Sequence, residues 1–112
     1  MADATDSIGI LQFALDAVVT QQQVIANNIA NQDTPGFQAS QVSFQSSLAQ
    51  ALSQGGSASV SVTPEGLPSG TNGNNVSMAT EMTLLQENNL QNKTIDNSLS
   101  AQFAILSSAL TA

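Results

Sequence analysis

Apolar residues recur at alternating spacings of three and four along Ile8, Leu11, Leu15, Val18, Gln22, Ile25 and Ile29. That period places them on one face of an α-helix, a heptad seam with a single polar insertion at Gln22. Ile10, Phe13, Ala14, Ala17, Val19 and Ala26 widen the apolar surface beyond one stripe. A helix that is greasy on more than one side needs more than one neighbour. The plain alternative is an ordinary core helix in a small bundle. A second seam occupies the far end of the chain: Met78, Met82, Leu85, Ile95, Leu99, Phe103, Leu106 and Leu110. Ser77 is a good cap for its first turn, and Glu81 lies near the positive end of the helix dipole. Asn88, Asn89 and Asn92 interrupt this second seam, where only Leu90 is apolar. Amides inside a seam either set register and partner choice or simply face solvent. Both readings stay open from the sequence.

The ends of these helices are also written locally. Asp6 or Ser7 can cap the first one, with a loose tail before it. Asn31 can end it, because asparagine tolerates the left-handed backbone. In Thr34-Pro35-Gly36-Phe37, Pro35 presets the first central position of a β-turn and Gly36 supplies the positive φ of a type II turn. Residues 37–44 alternate weakly, as an extended connector does. Phe44, Leu48, Ala51 and Leu52 give a short helical stripe that Gly55-Gly56 ends. Residues 53–75 are rich in Ser, Gly, Asn, Thr and Pro and read as a flexible insertion. Ala58, Val60 and Val62 could make a brief strand, but no partner is evident, so a mobile loop is expected. Asn72-Gly73 is a hairpin turn without apolar flanks. The expected fold is all-α, a single structural domain. Its long N- and C-terminal helices pair as an antiparallel coiled-coil hairpin around a flexible Ser/Gly/Asn-rich middle. The divisions are 1–36, helix and turn; 37–76, connector, short helix and loop; and 77–112, C-terminal helix.

Composition decides what such a hairpin can do. In 112 residues only 4% are aromatic, so large anchors are scarce. Chains this small usually need disulfides, metal or oligomerisation. Cysteine and histidine are both absent, which removes disulfides, thiolate sites and the commonest metal ligand and general base. Oligomerisation remains. Lys93 is the only basic residue against eight acids, for a net charge of -7. Nucleic acid and direct lipid binding are therefore not expected. No run approaches the roughly 20 apolar residues of a membrane span, and residues 1–6 lack the basic region of a cleaved signal peptide. Glu81 and Glu87 lie on different helix faces, so the acids show no catalytic or metal-binding cluster. Neither catalytic residues, cofactor, metal nor small-molecule substrate is expected. Asn75-Val76-Ser77 and Asn92-Lys93-Thr94 match a glycosylation pattern, as chance allows in a chain this rich in Asn and Ser.

Ala26-Asn27-Asn28-Ile29-Ala30-Asn31 with Thr34-Pro35-Gly36-Phe37 resembles the N-terminal signature of the flagellar axial proteins. The stretches Asn75-Val76-Ser77-Met78-Ala79-Thr80-Glu81-Met82 and Gln102-Phe103-Ala104-Ile105-Leu106-Ser107-Ser108-Ala109 narrow the resemblance to the basal-body rod family, nearest its proximal members. The resemblance implies a structural subunit of the proximal rod, self-assembling through its terminal helices into a tubular, torque-transmitting shaft. It implies itself, other rod subunits, and basal-body ring and export-gate components as partners. It also implies type III export without a cleaved signal, to a rod that spans the periplasm. The expected subunit interface is Leu15, Val18, Ile25, Ile29, Asn31, Pro35, Gly36, Phe37, Leu85, Leu99, Phe103 and Leu106. Where relatives tend to carry basic residues, around Gln21-Gln22-Gln23 and Gln91-Asn92, this chain has amides, which puts ionic subunit contacts in doubt. The rival reading is a helical adaptor or export chaperone that binds one partner helix. Sedimentation separates the two, since an adaptor stays a defined monomer or dimer.

Overall fold

The computed structural model describes residues 4–55 and 57–111. In chain order the elements are α1 (Ala4–Ala30), β1 (Ser40–Ser43), α2 (Gln45–Gln54), β2 (Ser61–Pro64) and α3 (Met78–Thr111). The molecule is elongated, 64 × 24 × 15 Å. Its length follows from the 27 residues of α1 and the 34 of α3, about 40 and 51 Å of helix respectively.

The element on which the others pack is α1, which contacts α3, β1 and α2. Advancing along α3 means retreating along α1. Asn74, just before α3, bonds to Asn31, and Asn88 bonds to Val18. Further on, Ile95 packs on the cluster that contains Ala17, with Phe13 beside it. The long helices thus lie side by side in opposite directions.

The core gathers Ala17 and Val18 of α1, Val42 of β1 and Phe44, flanked by Phe13, Val24, Leu48, Val60 and Ile95. The buried stripe of α1 runs through Ala14, Ala17, Val18, Ile25 and Asn28, with Gln21 half-buried among them. Gln22, the expected polar insertion, is exposed. The seam is thus offset from the heptad reading and shares with it Val18 and Ile25. Small residues at 14 and 17 take the inner face, and the larger Leu11 and Leu15 flank it half-buried.

Local signals set several boundaries, with corrections. Residues 1–3, where a tail is expected, lie outside the described residues. Helix α1 already runs from Ala4, so Asp6 and Ser7 sit in its first turn instead of capping it. Asn31 follows the last helical residue, but no described residue other than glycine has positive φ. Instead of turning left-handed, Asn31 folds its amide back, donating from Nδ2 to the Asn27 carbonyl at 2.8 Å. The Thr34–Phe37 turn forms as expected, with the Phe37 N–H on the Thr34 carbonyl at 3.2 Å and Gly36 at φ 77. Gly55 closes α2, its N–H on the Ala51 carbonyl, while Gly56 lies outside the described residues. Ser77 caps α3, its Oγ accepting the Thr80 N–H at 3.3 Å. The helix continues to Thr111, and Ala112 lies outside the described residues.

The middle segment departs most from expectation. β2 pairs antiparallel with β1, Val42 opposite Val62, and the Glu65 N–H extends the ladder to the Ala39 carbonyl at 2.9 Å. The fold is therefore mainly helical with a small two-stranded sheet, and residues 61–65 are not an unpaired loop. The partner strand leaves no mark in the sequence because Ser40-Gln41-Val42-Ser43 has a single inward apolar residue, Val42. Four residues are too few to display a period.

Candidate functional site

Three buried asparagines tie the turn after α1 to the start of α3. Asn28 brackets β1, donating from Nδ2 to the Ser40 carbonyl at 2.8 Å and accepting the Ser40 N–H at 3.1 Å. Asn74 donates from Nδ2 to the carbonyls of Asn31 at 2.8 Å and Thr34 at 2.7 Å. Asn75 accepts the Ala39 N–H on Oδ1 at 2.6 Å and donates to the Leu67 carbonyl at 3.1 Å. An amide offers both donor and acceptor, so one side chain can satisfy two backbone groups that neither helix nor sheet serves. The resemblance-bearing stretches 26–37 and 75–82 thus meet in space. With its side chain committed inside, Asn75 is not a free glycan acceptor.

Glycine completes this clasp. The Gly36 N–H donates to the Asn72 carbonyl at 2.9 Å. Gly73, at φ 81, lies so close that an added Cβ would stand 3.3 Å from the Gly36 Cα. Asn72-Gly73 is therefore a close-approach turn against Gly36, with no hairpin around it.

Along α3 the fully buried side chains are Glu81 and Asn88, both polar. Asn88 donates from Nδ2 to the Val18 carbonyl at 2.8 Å and to Gln21 Oε1 at 3.0 Å. Of the two readings of the interrupted seam, the solvent-facing one does not hold for Asn88, which is buried against α1. Asn89 is exposed and Asn92 half-buried. Glu81 is 0% exposed and stands against Glu65, which corrects the expectation that the acids stay apart. Burial first, then the neighbouring Glu81 carboxyl, hold the Glu65 carboxyl up at about 7. Sixteen positions separate the two residues, and no spacing rule links them.

The expected interface residues divide by exposure. Val18 and Ile25 are consumed in the subunit's own core. Leu15, Ile29, Asn31, Phe37, Leu85, Leu99 and Leu106 are half-buried, and Pro35 and Gly36 are exposed. Phe103 is 47% exposed, and Ile105 at 59% and Leu110 at 78% lie uncovered on the same end of α3. Ile105 and Leu90 fall outside the seam and are exposed as well. Among the described residues no helix is long and apolar enough to cross a membrane. None of their acidic side chains form a group of three or more that could hold a metal ion.

Residues 10–38, which contain most of α1 and the turn, match a protein family described as "Flagella basal body rod protein". The flagellar basal body rod protein FlgB of Bacillus subtilis is 34% identical over 116 residues, covering 90% of this chain and 90% of that one. FlgB of Yersinia enterocolitica is 43% identical over 58 residues, 49% of this chain and 41% of that protein. FlgB of Escherichia coli is 41% identical over 56 residues, with the same shares of 49% and 41%. A likeness that spans α1, the clasp and α3 alike leaves one conclusion: the chain belongs to the flagellar basal body rod protein FlgB family.

Proposed function

We propose that this structural subunit of the flagellar proximal rod polymerises through its two terminal helices, which act as a coiled-coil hairpin in the wall of a tubular, torque-transmitting shaft. The observation that carries the reading is the set of large apolar residues left uncovered toward the end of α3. Phe103, Ile105 and Leu110 stand exposed while the helix's fully buried positions hold Glu81 and Asn88. Large apolar side chains left open on a small chain call for a protein partner. Identical subunits joined head to tail without closure give a helical tube. Half-buried Leu15, Ile29, Leu85, Leu99 and Leu106 and the Thr34–Phe37 turn complete the interface, whereas Val18 and Ile25 support it from within. The neighbours are further copies, other rod subunits, and ring and export-gate components of the basal body. The site of action is the periplasm-spanning rod, reached by export without a cleaved signal. The role is structural and needs no cofactor.

The test is Leu110→Asp together with Phe103→Asp in a motile cell. Secretion of the double variant with no rod and no motility is the expected result. Normal motility would sink the proposal. A wild-type chain that sediments only as a defined monomer or dimer at every concentration would turn the reading to an adaptor.

A further inference from the structure

The end of β2 and the first turns of α3 bring Glu65 and Glu81 together inside the chain. The Glu65 backbone is pinned to Ala39 and that of Glu81 to Ser77, each by an N–H···O bond of 2.9 Å. All four carboxyl oxygens are shielded from water and meet no hydrogen-bond donor among the described residues. The surroundings offer no compensating charge. From residue 17 to its end α1 carries none, and β1, α2 and residues 66–77 carry none either. Asp16 and Asp33, which flank that part of the chain, are exposed, as are Glu87, Lys93 and Asp96 on α3. Lys93, the only cation, is twelve residues beyond Glu81, about 18 Å along the helix.

Two neighbouring carboxylates in such a place cannot both ionise cheaply, and one proton between them supplies the missing donor. We propose that Glu65 and Glu81 form a proton-operated latch, which when protonated clamps the 65–77 segment to the first turns of α3 and when deprotonated lets that segment go. The segment includes Asn74 and Asn75, so releasing it loosens the clasp on the turn after α1. Burial and Glu81 lift the Glu65 carboxyl from 4.5 to about 7, which puts the change near neutral pH. The folded chain then keeps a proton that the unfolded chain has given up. The latch's stabilisation is complete below about pH 4.5 and is lost as pH rises through about 7. It rests on contacts within one subunit, so it stands or falls independently of rod assembly.

Carbon-13 NMR of the side-chain carboxyls in the full chain tests it directly. Glu65 should titrate with a midpoint about 7 and move down in Glu81→Gln. The backbone amides of Leu67, Asn75 and Val76 should shift with the same midpoint in the wild type and stay still in Glu65→Gln. Denaturant unfolding gives an independent reading. The wild-type unfolding constant should rise by up to about tenfold per pH unit between roughly pH 5 and 7, the slope of one linked proton, and flatten in Glu65→Gln. If Glu65→Gln does not fold, the wild-type slope and the Glu81→Gln titration still decide the matter. An ordinary midpoint for Glu65, unmoved amides or a flat wild-type slope would each overturn the latch.

Discussion

Helices α1 and α3 carry the same kind of apolar period yet use it in opposite ways. On α1 the fully buried side chains are Ala14, Ala17, Val18, Ile25 and the amide Asn28. On α3 they are Glu81 and Asn88, while Phe103, Ile105 and Leu110 face outward. The cause is position. α1 packs against α3, β1 and α2, so most of its apolar side chains find neighbours within the chain, Val19 excepted, whereas Met82, Leu90, Phe103, Ile105 and Leu110 of α3 stay exposed. Of what α3 does bury, Asn88 ties it to α1 through the Val18 carbonyl and Gln21. One helix therefore holds the chain together, and the other leaves several large apolar side chains uncovered.

Substitutions can break that contrast, and the largest effect belongs to the inside of α1. Val18→Asp places an unpaired charge at a fully buried position and should cost about 5 kcal/mol or more, enough to unfold the subunit outright. Circular dichroism in urea would measure this, and a folded Val18→Asp chain would show that α1 is not the core element. Next comes the buried amide of α3. Asn88→Ala strands the partners of its two hydrogen bonds and should destabilise by about 1–3 kcal/mol, seen as a lower denaturation midpoint. An unchanged midpoint would mean that water or another group serves the Val18 carbonyl equally well. Gly73→Ala should cost about 1–2 kcal/mol, from a positive φ and the contact with Gly36. That loss should be accompanied by weakened amide protection at Gly36 and Asn75, whereas protection equal to wild type would remove Gly73 from the clasp. The smallest effect on the subunit, and the sharpest contrast, comes from outside α3. Leu110→Asp alone should change subunit stability by less than about 0.5 kcal/mol and yet reduce polymerisation, a split that unfolding and sedimentation measured side by side would reveal. Equal losses in both would place Leu110 in the subunit's own packing.

Features governed by neighbouring residues could be read from the sequence. The turn at Thr34-Pro35-Gly36-Phe37 forms as its residues dictate, since proline fixes φ and glycine permits its positive value. Ser77 caps α3 for equally local reasons, and the long periods of α1 and α3 mark them as helices. Local chemistry failed at Asn31, where side-chain bonds to Asn27 supply the helix ending without a left-handed residue. It failed again at β1 and β2, whose four-residue runs acquire strand geometry only from each other.

The sequence by itself determined two amphipathic helices, a hard stop between them and the absence of any disulfide or histidine chemistry, because each depends on residue identity or short-range spacing. Tertiary structure alone decided which faces of those helices turn inward. It took Val18 and Ile25 for the core, left Phe103 and Leu110 outside, and closed Asn28, Asn74 and Asn75 around backbone groups distant in sequence. It also set Glu65 against Glu81, sixteen residues apart. Burial is a property of what stands opposite a side chain, and what stands opposite is fixed only when the chain has closed on itself.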